Sequence, residues 1–159
     1  AADTLFHSYG LLLSSDHSNP YFRTAAQVIR LQEKILEKVE KFGQPSNEVL
    51  SIIVVDCTNI HSGMLDEEDV RIVAFGLAKN PVWQEFWNGI RLKGLFEADF
   101  TARNSEELRE KISVIIFLSE LKPGALKNSY FVVNPAIDVA RQTKQVPLFQ
   151  HLKYVGQAL

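Results

Sequence analysis

The sequence has little of what marks several common protein classes. Its 159 residues include one cysteine, Cys57, and one methionine. The longest apolar runs, 52–55 and 114–118, are far shorter than the roughly 18 to 20 residues that a membrane span needs. A single cysteine excludes an internal disulfide framework and a multi-cysteine zinc site, and it suits a reducing compartment. We therefore expect a cytoplasmic protein that makes no membrane contact.

An excess of charge of one sign is lacking as well. Lysine and arginine total 17 against 19 aspartates and glutamates, which leaves a formal net charge of -2. Because this balance gives no overall basic surface, binding to DNA would depend on a local patch. The sequence also contains no Walker A, GxGxxG or GxSxG motif. Classical nucleotide-binding sites and esterase sites are thereby excluded.

What the sequence does contain is a series of helix and strand patterns. Apolar residues at helical spacing over about 23–42 predict an amphipathic helix, introduced by Asn19 and Pro20. The β-branched run 50–55 has no polar alternation, which is typical of a strand buried on both faces of a sheet. The substitution Val54→Asp is therefore expected to prevent folding.

The rest of the chain extends the pattern. Asp66 and the three acidic residues after it predict a helix start by capping rather than a metal site. Asn104 and Glu107 predict a capping box for a helix that ends near residue 112. Three more elements are expected: strands over 113–118 and 130–133, and a final helix over 147–159. This order predicts one α/β domain over residues 1–159, with a small mixed sheet of about three to four strands flanked by helices.

Candidate site residues follow the first predicted strand. Asp56, Asn59 and His61 would lie beyond its carboxyl end, where ligands bind in open α/β sheets. Cys57 lies among them and could act as a thiol nucleophile, although a buried free cysteine is more often a small apolar residue. Asp56 and His61 without a third ligand are weak evidence for a metal site. The three polar residues are thus candidates for an undefined crevice site.

A nuclease site would need a different constellation. Phosphodiester cleavage requires carboxylates that hold Mg²⁺ and usually a lysine close to the attacking water, so an acidic-x-Lys motif is the feature to seek. The one match is Glu120 and Lys122, with Asp99 upstream as a second ligand. With 19 acidic residues in 159, about one such match is expected by chance. The motif alone therefore assigns no site.

Aromatic residues provide a third candidate surface. Trp83, Phe86 and Trp87 lie together in "VWQEFW", and "GLFEADF" follows at residues 94–100. Such residues either complete the core or, where they are exposed, form an interface with a partner protein or a second copy of the chain.

Four segments carry a resemblance to a known superfamily. They are "AAQVIRLQEKILEKVEKFGQP", "LSIIVVDCTNIHSGMLDEEDVRIVAFG", "KISVIIFLSEL" and "SYFVVNPAIDVARQTKQVPLF". Over roughly residues 24–149 the chain resembles the C-terminal half of poorly characterised proteins of the PD-(D/E)XK restriction-endonuclease-like superfamily. The shared features are a buried strand, a helix that begins D-x-x-D-V, a second strand, and an Asn-Pro followed by a Pro-Leu. The resemblance implies an endonuclease that uses Mg²⁺ and acts on DNA.

The resemblance assigns no catalytic residue. In that superfamily the metal-binding Asp and the (Asp/Glu)-x-Lys pair precede the helix that corresponds to residues 23–42. Residues 1–22 contain only Asp3 and Asp16 as acids, and no lysine. Two functions therefore stay open. The chain is either part of a Mg²⁺-dependent DNA endonuclease, as a fragment of a longer protein, or a non-catalytic interaction or regulatory domain that binds a partner protein or forms a homodimer.

Overall fold

The computed structural model describes residues 20–44, 49–58, 65–77, 92–119, 128–137 and 140–157. In chain order the main elements are α1 Pro20–Lys38, β1 Ile52–Asp56, α2 Glu67–Phe75, α3 Ser105–Lys111, β2 Val114–Leu118, β3 Tyr130–Val133, α4 Ala140–Gln145 and β4 Lys153–Tyr154. Short 3-10 helices follow α1 at Val39–Lys41 and precede β4 at Pro147–Gln150. No helix in this part of the chain is both long and apolar enough to cross a membrane.

The four strands form a mixed sheet in the order β1-β2-β3-β4, which confirms the predicted α/β class. β1 runs parallel to β2, with Ile52 opposite Val114. β3 runs antiparallel to β2, with Val133 opposite Val114. β4 runs parallel to β3, with Lys153 opposite Tyr130. The carboxyl ends of β1 and β2 therefore lie at the same end of the sheet as the amino ends of β3 and β4.

Helix α1 begins at Pro20 rather than near Arg23, and its apolar stripe is buried as the sequence predicts. The side chains of this stripe are Val28, Leu31 and Ile35, and Val39 continues it in the 3-10 helix that follows. Gln32 lies on the same buried side, and its Nε2 donates hydrogen bonds to the carbonyl oxygens of Val73 at 3.2 Å and Lys93 at 2.8 Å. One polar side chain thus joins α1 to α2 and to the segment that precedes α3.

Each face of the sheet carries its own apolar cluster. The larger cluster joins the inward residues of α1 and α2 to one face of the strands, represented by Ile53, Ile115 and Val132. The smaller cluster lies on the other face, where Phe149 and Leu152 pack against Val114, Ile116 and Phe131. Both clusters include residues of β2, so this strand is buried on both sides.

The prediction that β1 is buried on both faces is wrong. β1 is the first of the described strands in the sheet order, and its burial alternates, with Ile53 and Val55 buried but Val54 55 % exposed. The smaller cluster is built on residues of β2 and β3, and on β1 it is joined only by the half-buried Ile52. An apolar run predicts a strand, but it does not specify which neighbours will cover that strand.

The capping box predicted for Asn104 and Glu107 is also wrong. Asn104 precedes α3 with φ 65°, in the left-handed region, and its side chain makes no capping hydrogen bond. Its Nδ2 instead donates to the carbonyl oxygen of Leu36 at 3.1 Å and to Oε1 of Glu40 at 3.2 Å. The contact with α1, which is distant in sequence, decides this geometry.

The final helix predicted over 147–159 is replaced by the 3-10 helix and β4. Leu148 is 42 % exposed, whereas Phe149 is buried. The backbone N–H of Lys153 donates to the carbonyl oxygen of Ser129 at 2.9 Å, and that of Val155 donates to Phe131 at 3.0 Å. Pairing with β3 satisfies these backbone groups and overrides the helical spacing.

A pair of substitutions on β1 tests this arrangement. We expect Val54→Asp to change the free energy of unfolding by less than about 1 kcal/mol, because the new carboxylate stays in water. Ile53→Asp is the matched control on the same strand, where 5 % exposure means that an unpaired charge would be buried. It should cost more than about 4 kcal/mol and prevent folding. Urea unfolding monitored by circular dichroism measures both, and equal losses would contradict the edge position of β1.

Candidate functional site

The first predicted candidate lies at the end of the sheet where β1 and β2 have their carboxyl ends. Asp56 ends β1, is exposed, and its Oδ1 accepts hydrogen bonds from Thr58 Oγ1 at 2.6 Å and from the Thr58 backbone N–H at 2.9 Å. The hydroxyl hydrogen bond, followed by the backbone one, holds the pKa of Asp56 below its ordinary value. The carboxylate therefore closes a local turn and stays ionised at neutral pH.

Cys57 follows Asp56 and points into the larger core cluster with 2 % exposure. Burial, with the neighbouring Asp56 charge as a second cause, raises the pKa of the Cys57 thiol to about 11. At neutral pH this thiol is protonated and out of contact with solvent, whereas a nucleophilic cysteine needs an accessible thiolate. The geometry favours the apolar role over the nucleophilic one.

Ser119 follows β2 at the same end of the sheet. Its backbone N–H donates to Ser129 Oγ at 3.1 Å, while its own Oγ is buried and has no hydrogen-bond partner. A buried hydroxyl without a partner costs folding free energy. Activation of a serine hydroxyl requires a base within hydrogen-bond distance, so this group alone does not make a catalytic site.

Several predicted candidates lie outside the described residues, and for these the site assignment stays a prediction. These are the crevice residues Asn59 and His61, the motif residues Glu120 and Lys122, and the aromatic residues Trp83, Phe86 and Trp87. Asp99 is described, and its exposed Oδ2 lies 3.0 Å from Lys93 Nζ. Asp99 precedes α3, whereas Asp56 is the last residue of β1.

The segment 94–100, for which the sequence left a core role and an interface role open, belongs to the core. Leu95, Phe96 and Phe100 are all buried, and the rings of Phe75 and Phe96 lie 5.9 Å apart between centroids. The backbone N–H groups of Leu95 and Phe96 donate to carbonyl oxygens in the last turn of α2. The large apolar side chains of this segment are therefore not accessible to a partner.

The acidic start of α2 has the predicted capping role. Asp66 Oδ1 accepts from the Asp69 N–H at 2.9 Å, and Asp69 Oδ2 accepts from the Asp66 N–H at 3.2 Å, which completes a capping box. Glu67 Oε2 lies 2.6 Å from Lys153 Nζ, and Glu67 Oε1 lies 2.8 Å from Arg71. The hydrogen bond from Lys153, together with Arg71, lowers the pKa of Glu67. These acids fix the helix start and join it to β4.

An open groove of about 390 Å³ lies between α1 and the turn before α3. Its lining residues are Glu33, Leu36, Glu37, Glu40, Ala102, Arg103 and Asn104. The hydrogen bond from Asn104, with a second from Arg103, lowers the pKa of Glu40.

In the part of the chain that the structure describes, no group of three or more His, Cys, Asp or Glu could hold a metal ion.

The outer edge of β1 has a different character, and its geometry follows from two backbone hydrogen bonds. The Cys57 N–H donates to the Leu118 carbonyl oxygen at 2.8 Å, and the Ser51 carbonyl oxygen accepts from the Ser113 N–H at 2.8 Å. Ser51 and Cys57, the odd-numbered residues that flank β1, thus direct these backbone groups toward β2. Because the direction of N–H and C=O alternates along a strand, the even-numbered residues direct theirs away from β2.

These outward residues are Ile52, Val54 and Asp56, and no described strand lies on the side of β1 that faces away from β2. Val54 combines an outward backbone with a side chain that is 55 % exposed. This edge is not predictable from the residue pattern of β1 alone, because strand order depends on contacts distant in sequence. The absence of lysine and proline from the run was the available signal.

Comparisons with protein-family models, with curated proteins and with solved structures found no match for this chain. The resemblance to the PD-(D/E)XK superfamily therefore stays a prediction.

Asp69 supplies a prediction for the dependence of stability on pH. It is 7 % exposed, and burial raises its pKa to about 6 from an ordinary value of 3.8. The folded state thus binds the proton more tightly than the unfolded state, so this group lowers the free energy of unfolding as the pH rises from about 4 to 6, by about 2 to 3 kcal/mol.

We expect Asp69→Asn to remove that decrease, because the amide oxygen can still accept from the Asp66 N–H and carries no charge. Urea unfolding at intervals between pH 4 and pH 7 measures the difference between variant and wild type. Glu68→Gln, at an exposed position of the same turn, is the control and should retain the wild-type slope. A wild-type slope in Asp69→Asn would show that Asp69 ionises freely in the folded chain.

Proposed function

We propose that this chain is a protein-interaction domain that binds an extended segment of its partner along the outer edge of β1. The observation that carries the proposal is Val54, a large apolar residue 55 % exposed on a strand edge with no partner in the described sheet. An added strand supplies backbone hydrogen bonds for affinity, and side-chain contacts on the faces supply specificity. We also propose a reducing compartment such as the cytoplasm for this function, which the single cysteine of the sequence supports.

A comparison of the two edges of the same sheet supports the proposal. β4, at the other edge, has two residues and carries Lys153, which pairs with Glu67. Short length and a charged lysine are the features by which natural proteins keep edge strands from pairing. β1 has five residues, four of them apolar and β-branched, and it contains neither lysine nor proline. Within the described sheet, β1 is thus the edge that is suited to accept another strand.

The competing proposal is the Mg²⁺-dependent endonuclease that the resemblance implies. It rests on Asn59, His61, Glu120 and Lys122, which lie outside the described residues, and on Asp56, whose carboxylate closes a turn with Thr58. No contact among the described residues favours this proposal. It predicts metal-dependent cleavage of DNA by the purified chain, which the interaction proposal does not.

Val54→Pro tests the interaction proposal at one backbone group. Because the Val54 N–H points away from β2, proline removes no hydrogen bond of the sheet and is tolerated on such an edge. It does remove a donor that a bound strand would use. Peptides of about ten residues, selected for binding to the wild-type chain from a displayed library, should bind Val54→Pro at least about tenfold more weakly. Val54→Thr retains the N–H and the branched shape, and should bind within about threefold of wild type.

The same preparations also test the endonuclease proposal. Supercoiled DNA incubated with the wild-type chain and either Mg²⁺ or Mn²⁺ should stay intact. Metal-dependent cleavage that Val54→Pro leaves unchanged would support the endonuclease and contradict the interaction proposal. Failure of the selection, or selected peptides that bind Val54→Pro as well as wild type, would also contradict it. Circular dichroism and thermal unfolding confirm that both variants are folded.

A further inference from the structure

We infer that the strand which pairs with β1 belongs to a second copy of this chain, in an antiparallel β1-β1 pairing across a two-fold axis. The inference rests on the proposed function, since it names the partner for the same edge. An antiparallel arrangement of two identical edges is self-complementary and closes after two copies. It would join the two four-stranded sheets into one continuous sheet.

The outward backbone groups fix the register of this pairing. In an antiparallel pair, two opposite residues whose N–H and C=O groups face each other form two backbone hydrogen bonds. A two-fold axis at Val54 places Val54 opposite its own copy and Ile52 opposite Asp56 of the other copy. All outward residues of both strands are then used, for a total of about six backbone hydrogen bonds. Axes displaced along the strand use fewer of them.

The distribution of charge selects the same register. Asp56 is the only charged residue of β1, and an axis at Asp56 would place two carboxylates opposite each other, which is destabilising. With the axis at Val54, each carboxylate stands opposite an isoleucine and stays at the exposed end of the strand. The formal net charge of the chain is only -2, so repulsion between two copies is small.

The side chains fit the same axis. Side chains alternate between the faces of a strand, so Ile53 and Val55 stay in the larger core cluster while the two Val54 side chains lie side by side on the other face. There each Val54 shields the other from water and extends the apolar surface that Leu50 and Ile52 contribute to the smaller cluster. The exposure of Val54 in the single chain is thereby accounted for.

Complementary charges at the axis provide the test. Light scattering over about 5 to 500 µM should show that the wild-type chain dimerises as concentration rises. Val54→Lys and Val54→Glu should each be monomeric, because each would place like charges opposite each other on the axis. An equimolar mixture of these two variants should restore a dimer, because Lys and Glu then face each other. Leu148→Lys changes an exposed apolar residue away from β1 and should dimerise like wild type.

A disulfide measures the proximity directly. Hydrogen-bonded residues opposite each other in an antiparallel pair have Cα atoms about 5.5 Å apart, which is within disulfide range. Val54→Cys should therefore form an intermolecular disulfide on mild oxidation, whereas Leu148→Cys should not. Thermal unfolding confirms that the monomeric variants are folded.

The outcomes separate this inference from the proposed function. A wild-type chain that is monomeric at the highest concentration, a dimer that both Val54 variants retain, or a mixture that stays monomeric would overturn the self-pairing. If a monomeric wild-type chain nevertheless binds selected peptides in a manner that Val54→Pro abolishes, the edge accepts a strand from a different protein. In that case the proposed function holds and the inference fails. Without such peptide binding, both fail.

Discussion

Strand β2 holds the described core together, because both apolar clusters are built on it. Val114 and Ile116 point into the smaller cluster, and Ile115 and Phe117 point into the larger one, all with 2 % exposure or less. Its parallel pairing to β1 and antiparallel pairing to β3 set the register of both neighbours. A charge at any of these positions would face apolar groups on either side of the sheet. The positions of the other strands therefore follow from that of β2.

Buried amide side chains connect the elements around this strand. The Nε2 of Gln32 donates to two carbonyl oxygens on separate segments. Asn134, which is fully buried after β3, donates from Nδ2 to the carbonyl oxygens of Arg109 and Ile112 at 2.8 Å each. Carbonyl groups near a helix end have no partner within the helix, so Asn134 satisfies groups that burial would otherwise leave unpaired. These bonds orient the segments that the apolar contacts bring together.

The elements that could be predicted from the sequence are those whose causes are local. β2, β3 and the capped start of α2 occur where their residue patterns place them, because apolar runs and an Asp at the N-cap act within a few residues. Asn104 and the C-terminal segment could not be predicted, since Leu36, Ser129 and similar distant partners decide their geometry. The candidate sites show the same contrast between local and distant causes. Asp56 lies at the carboxyl end of β1 as predicted, because that position depends on the strand itself. The open side of β1 depends instead on the order of the strands in the sheet.

The size of this open side limits how strongly it can bind. Each backbone hydrogen bond that replaces a bond to water contributes about 0.5 to 1.5 kcal/mol, and one pair of short strands buries far less than the roughly 1,200 Å² of a stable interface. Loss of translational and rotational freedom offsets much of this gain. Val54 is the only large apolar residue of β1 that is more than half exposed, so its burial contributes only about one side chain of hydrophobic stabilisation. Pairing through β1 is therefore reversible and depends on concentration.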